Sequence, residues 1–326
     1  MTLVITIVAI ALFFDFLNGF HDSANSIATI VATRVLKPHQ AVIMAAIANF
    51  IAAFVFTTAV AATIGKGIIN PQAISSYTIL AGLIGACLWN IITWYFGLPI
   101  SSSHSLIGGL IGSTLVNPGI HALLFDGITK AFLFIFLAPI IGLSGAAFFT
   151  ILMTVIVQKK SNQSVIKNFS KLQILSSFLY SLGHGANDAQ KTMGVISLTL
   201  FSNHLLGKNF YIPPWVIISS YGAIALGTYF GGWKIVKTMG TKITYLKPFG
   251  GFCAETTGAL ILFLTSHFGI PVSTTHVIAG SIMGVGAAQN HKRVRWITTR
   301  KIFLAWILTI PATLLFGAIF RLFLSK

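Results

Sequence analysis

Residues Phe96 to Gly109 read FGLPISSSHSLIGG, and residues Phe268 to Ser281, 172 positions further on, read FGIPVSTTHVIAGS. Each run sets Phe-Gly-apolar-Pro-apolar before three hydroxyl residues, a histidine and a small-residue stretch. Working outward, the same correspondence continues. Gly108 and Gly112 recur as Gly280 and Gly284, and NGFHDSANS from Asn18 aligns with HGANDAQKT from His184, which sets Asp22 on Asp188 and Asn25 on Lys191. A chain that writes the same grammar twice is built from two copies of one structural unit.

The medium follows from composition. Hydrophobic residues make up 55% and charged residues only 8% of the 326, against about 25% charged in a soluble domain. With a mean hydropathy of +0.87, the chain reads as an integral membrane protein. Its apolar runs are continuous and about 20 residues long, which predicts helices rather than the period-two alternation of a barrel. The runs fall near 2–32, 40–64, 77–96, 100–116 and 131–157, then 173–201, 212–233, 249–267, 272–288 and 302–323. The N-terminus lacks the charged start and cleavage site of a signal peptide, so the first run is expected to stay as structure.

The formal net charge of +16 does not point to nucleic acid, because the basic residues sit between apolar runs. Lys159, Lys160, Lys167 and Lys171 form one cluster, Lys234, Lys237, Lys242 and Lys247 a second, and Lys292, Arg293, Arg295, Arg300 and Lys301 a third. The positive-inside rule places all three in the cytoplasm, with both termini outside. Five elements per half is an odd number, so the halves run in opposite directions. The predicted fold is an all-α polytopic membrane protein of two inverted-topology repeats with broken helices, the architecture of secondary transporters. Repeat 1 spans 1–157, a basic cytoplasmic linker 158–172 and repeat 2 173–326. The elements at 77–116 and 249–288 are either pairs of spans or re-entrant hairpins, since parity permits both. Cys87 and Cys253, each inside an apolar run, read as reduced small hydrophobes.

Only five acids occur. Asp126 falls in a predicted loop, and Asp15 reads as lying near a membrane end. Asp15, Asp22, Asp188 and Glu255 all lie within apolar runs, where a charge costs about 2.5–3.5 kcal/mol and marks a pathway or an ion site by default. The alternative is a structural salt bridge to Lys191. Asn18-Gly19 and Gly183 to Asn187 put glycines and amides in mid-run, which predicts local helix breaks whose carbonyls, with Asp22, Asn25, Asn187 and Asp188, suit sodium or a proton. The alternative is a glycine packing notch. Pro99 and Pro271 should end one element and let the triplets Ser101, Ser102, Ser103 and Ser273, Thr274, Thr275 open the next. Free N–H groups and hydroxyls at a helix start form an anion cradle; capping accounts for one hydroxyl per helix, not three. His21 and His184 are relay candidates beside the aspartates, while His104 and His276 either face the anion or are packed. Lys191 holds Asp188 ionised or attracts the anion.

These residues resemble the inorganic phosphate transporter (PiT) family: NGFHDSANSIAT, GHGANDAQKTMG, GGFCAE and the two Pro-hydroxyl-His runs look like its duplicated signatures over nearly the whole chain. The resemblance implies a multi-pass transporter of the plasma (inner) membrane that imports inorganic phosphate with a cation, with Asp22, Asn25 and the triplets on the substrate. Asp22, His21, Asn187, Asp188 and Glu255 would serve coupling, with Lys191, His104, His276 and His184 as accessories. The GFHD form is similar to the proton-coupled bacterial branch; sodium coupling, or sulfate as the anion, is the alternative within the family. No cofactor is implied beyond the coupling ion, although phosphate carried as a divalent-metal complex is compatible, as is a homodimer. An anion channel is the reading from another class. No Gly-x-Ser-x-Gly elbow or HExxH pair supports an enzyme.

Overall fold

Backbone N–H and C=O groups have no water to bond within a bilayer, so long apolar runs must satisfy them internally as helices. The computed structural model describes residues 1–324, and among these the chain forms twelve α-helices. The first half comprises α1 (Thr2–Ala32), α2 (Pro38–Ile51), α3 (Ala59–Gly67), α4 (Ser76–Tyr95), α5 (Ser102–Val116) and α6 (Phe125–Val157). The second comprises α7 (Asn162–Ser202), α8 (Pro214–Phe230), α9 (Trp233–Thr241), α10 (Pro248–His267), α11 (Thr274–Gln289) and α12 (Trp296–Phe323). The six helices match one to one, down to an internal proline in each last helix, Pro139 in α6 and Pro311 in α12.

Five of the helices are long and apolar enough to cross a membrane, or six elements when the bent pair α2–α3 counts as one span. That pair turns by 79° at a short break, where the apolar sequence alone reads as a single run at 40–64. By contrast α5 has 15 residues and α11 has 16, about 22–24 Å of helix, short of a hydrocarbon core of about 30 Å. α4–α5 and α10–α11 are therefore helical hairpins. Gly97 and Gly269, both at φ +66, end the descending helices in a left-handed conformation open to glycine. The hairpin tips meet: the His104 and His276 rings lie 4.8 Å apart edge to face.

The two repeats interlock instead of sitting side by side. α1 packs on α8 and α9 while α7 packs on α2 and α3; α5 lies along α12 while α11 lies along α6. Each exchange has its mirror, as a pseudo-twofold requires. The Gly108/Gly112 and Gly280/Gly284 pairs make the last two contacts close. A Cβ on Gly112 would lie 1.9 Å from the Leu314 carbonyl oxygen, and one on Gly284 2.1 Å from that of Leu143. Gly112→Ala and Gly284→Ala should each cost about 1–3 kcal/mol of stability, because backbone has to move. Gly222→Ala, where the added Cβ meets nothing within 4 Å, should not, and thermal unfolding in detergent reads the difference.

Three expectations need correction. The basic stretch 158–172 is mostly helix: Ser161 accepts from the Ser164 N–H at 3.3 Å, and α7 runs from Asn162, because Phe169 docks its ring on Phe249 and Phe252. Asp126 stands in the first turn of α6, exposed, where a carboxylate complements the helix N-terminus. The helices do not break at the aspartates. α1 and α7 run straight through Asn18-Gly19 and Gly183 to Asn187. There the glycines are packing notches: a Cβ on Gly19 would meet the Ile224 carbonyl at 2.1 Å, and one on Gly185 the backbone of Asn49 at 2.7 Å.

Candidate functional site

Four helix stretches converge at the middle of the molecule: the centres of α1 and α7, each wholly buried there, and the N-terminal turns of α5 and α11. The proline before each triplet ends the loop and frees the first turn of N–H groups. Within each triplet the hydroxyls divide their work. Ser101 and Ser273 cap their helices, accepting from the N–H of His104 and His276 at 3.3 Å in both cases. Ser102, Thr274 and Thr275 face the acids, while Ser103 donates to the Val272 carbonyl at 3.5 Å.

Asp22 accepts from Ser102 Oγ at 3.0 Å on one oxygen. Its other oxygen meets His21 Nδ1 at 3.0 Å and Thr275 Oγ1 at 3.4 Å. Asn25, one turn on, donates to Thr275 Oγ1 at 2.9 Å and to Thr274 Oγ1 at 3.3 Å. Its own Oδ1 receives no hydrogen bond. Asp188 accepts from Thr274 Oγ1 at 2.8 Å and from Lys191 Nζ, and His184 Nε2 stands 3.2 Å from it without hydrogen-bond alignment. Thus both aspartates are held by hydroxyls of α11, and Asp22 by α5 as well. One ligand atom each from Asp22, His184 and Asp188 falls within 4.8 Å of the others, a spacing that a single cation can bridge.

Lys191 spends all three ammonium hydrogens here. Besides Asp188 it donates to Ser103 Oγ at 2.5 Å and to the Val272 carbonyl at 2.7 Å, tying both hairpin tips to α7. Asn187 supports the second tip, accepting from the Val272 N–H at 3.3 Å and donating to the Ile270 carbonyl. Tyr180, which sequence reasoning passed over, donates to the Thr274 carbonyl at 3.0 Å.

The remaining candidates lie apart. Glu255 is not at the centre. It accepts from Thr29 Oγ1, Gln173 Nε2 and Ser176 Oγ at 2.5, 3.1 and 2.5 Å, two turns along α1 from Asp22. His104 and His276 face each other behind the cradle, and His276 stacks on Trp306 with ring centres 3.8 Å apart. Asp15, expected near a membrane end, is fully buried in mid-α1. Polar partners such as Thr29, Gln173 and Ser176 carried no signal of their own, because single hydroxyls and amides are ordinary residues in a helix.

A profile of the phosphate transporter family matches residues 18–317. The chain is 52% identical over 317 residues to a probable low-affinity inorganic phosphate transporter of Rhizobium meliloti (strain 1021), covering 97% of this chain and 95% of the relative. It is 43% identical over 321 residues to one of Bacillus subtilis (strain 168), with 98% and 96% covered. Among solved structures, one described as the sodium-dependent phosphate transporter superimposes with a TM-score of 0.87 at 26% identity, over 100% of this chain and 99% of that one.

Proposed function

The chain belongs to the phosphate transporter family, and we propose that it is a symporter that imports inorganic phosphate across the plasma membrane, together with protons. The observation that carries the reading is the shared use of donors. Ser102, Thr274 and Thr275 give their hydrogen bonds to Asp22 and Asp188. These hydroxyls, with Asn25 and the free N–H groups at the starts of α5 and α11, are also the donors that an oxyanion needs.

Phosphate and charged aspartates therefore compete for one set of hydrogens. They also repel, since two unit charges about 4 Å apart cost about 4 kcal/mol at an effective dielectric near 20. A cation that neutralises the carboxylates releases the hydroxyls and removes the repulsion, so cation and anion bind together. By linkage each strengthens the other equally. The two hairpin tips, joined through Lys191, would open to opposite sides in turn as the interlocked repeats rock.

Protons are favoured because a histidine stands against each aspartate, His21 at Asp22 and His184 at Asp188. One observation supports sodium as the second reading: the Asn25 Oδ1 is buried without a donor beside Asp22, as an oxygen ligand for a metal ion would be. Labelled-phosphate uptake into proteoliposomes separates the two. An inward proton gradient alone should drive accumulation in sodium-free buffer, and excess sulfate should not compete. Accumulation that requires sodium overturns the proton assignment, and sulfate competing as well as phosphate overturns the substrate. Downhill flux indifferent to both gradients would make the protein a channel.

A further inference from the structure

Seven residues before Asp22, α1 carries an acid that the symport scheme leaves unused. Asp15 is 0% exposed, and among the described residues neither carboxylate oxygen receives a hydrogen bond of normal geometry. Its neighbours Ala11 and Phe14 belong to the apolar core. Two polar side chains face it, Asn18 from its own helix and Thr192 from α7, and the Asn18 Oδ1 and Thr192 Oγ1 are buried without partners too. Four oxygens on two helices thus share a buried space: the Thr192 and Asn18 side chains act on the carboxylate, but among the described residues no hydrogen bond of normal geometry reaches any of the four.

Desolvating a carboxylate with no partner costs several kcal/mol. Lys191 acts on Asp15 through space, but its three hydrogens are already given to Asp188, Ser103 and Val272, and an ammonium has no fourth. Besides Lys191, the titratable groups that act on Asp15 through space are Asp188 on α7 and Tyr221 on α8; His184 on α7, Cys87 on α4, and His21 and Asp22 on α1 itself also lie on the helices packed there. None of them gives Asp15 a hydrogen bond. A bound proton or a small hard cation supplies what is missing, and an all-oxygen set suits either.

The position gives the site a task. Asp15, Asp22 and Thr29 follow one another at intervals of two helical turns, about 10 Å each, on the buried face of α1. Thr29 donates to Glu255. Acids therefore line one axis through the protein, with Asp22 and Asp188 in the middle and one acid at either end. Extending the symport reading on which it rests, we infer that Asp15 is a monovalent-cation site, for a proton or a sodium ion, that loads the central aspartates from the side opposite Glu255.

Infrared difference spectroscopy on reconstituted protein in phosphate-free buffer tests this directly, because five carboxyl side chains in the whole chain keep the bands assignable. In one arm the pH is stepped without sodium; in the other, sodium is added at fixed alkaline pH. The expected result is a carboxyl band, protonated in the first arm or sodium-shifted in the second, that Asp15→Asn removes and Asp15→Glu displaces. The arm in which it appears names the cation. Identical difference spectra from parent and Asp15→Asn in both arms overturn the proposal. In transport, the ratio of gradient-driven accumulation to phosphate exchange should fall about tenfold in Asp15→Asn, the size of an ordinary coupling between sites. A proportional fall in both, with the ratio kept, would mean a merely structural residue and also overturns it. The infrared arms use no phosphate, so a parent protein that fails to carry phosphate sinks the symport reading separately.

Discussion

Asp188→Asn should abolish gradient-driven phosphate uptake and at the same time destabilise the fold by about 3–5 kcal/mol, the cost of stripping one partner from a buried ion pair. Lys191 would keep its bonds to Ser103 and Val272 but lose the carboxylate it is paired with, Asp188. Lys191→Met should be comparably damaging, since it leaves Asp188 with one hydroxyl donor, Thr274, and unties both hairpin tips. The double variant separates structure from coupling. Replacing a buried pair by neutral groups of similar size is often tolerated, so Asp188→Asn with Lys191→Met should recover most of the thermal stability lost by either single change. It should not recover accumulation, because no second carboxylate remains to take the cation opposite Asp22. Unfolding in detergent and uptake in proteoliposomes read the two quantities. A double variant that concentrates phosphate would reduce the Asp188–Lys191 pair to a structural salt bridge.

The matched motifs make Asp22, Asp188 and both triplets legible as site candidates, because repetition at one spacing is a property of sequence alone. What lay beyond the sequence was whatever depends on a facing helix. Gly19 and Gly185 are compatible with either a helix break or a close packing notch. The backbones of Ile224 and Asn49 decide for the notch, and both belong to helices of the other repeat. Glu255 read as a companion of the central acids, yet its donors Thr29, Gln173 and Ser176 come from the far ends of the buried stretches of α1 and α7. Asp15 reads as peripheral from its place near the end of the first apolar run. Only the packing of α7 and α8 onto α1 shows that the apolar surroundings leave its carboxylate without a donor. The basic stretch before α7 reads as linker because its lysines mask the apolar spacing of Val165, Phe169 and Leu172, which makes it an amphipathic helical start.

The division of labour within the triplets predicts a contrast between neighbouring serines. Ser102 donates to a carboxylate, and so does Thr274; Ser101 and Ser273 only cap. A hydrogen bond to a charged partner is worth about 1.5–3 kcal/mol. Ser102→Ala and Thr274→Val should therefore each raise the KM for phosphate by about 10- to 100-fold, since phosphate inherits the same donor once the aspartate is neutralised. Ser101→Ala and Ser273→Ala should cost about 1 kcal/mol of stability, the usual worth of an N-cap. Their KM should move by no more than about threefold, because the backbone N–H groups that they organise remain in place. If Ser101→Ala raised KM as much as Ser102→Ala does, all three hydroxyls would belong to the anion cradle, and the exchange of donors between aspartate and phosphate would lose its structural basis.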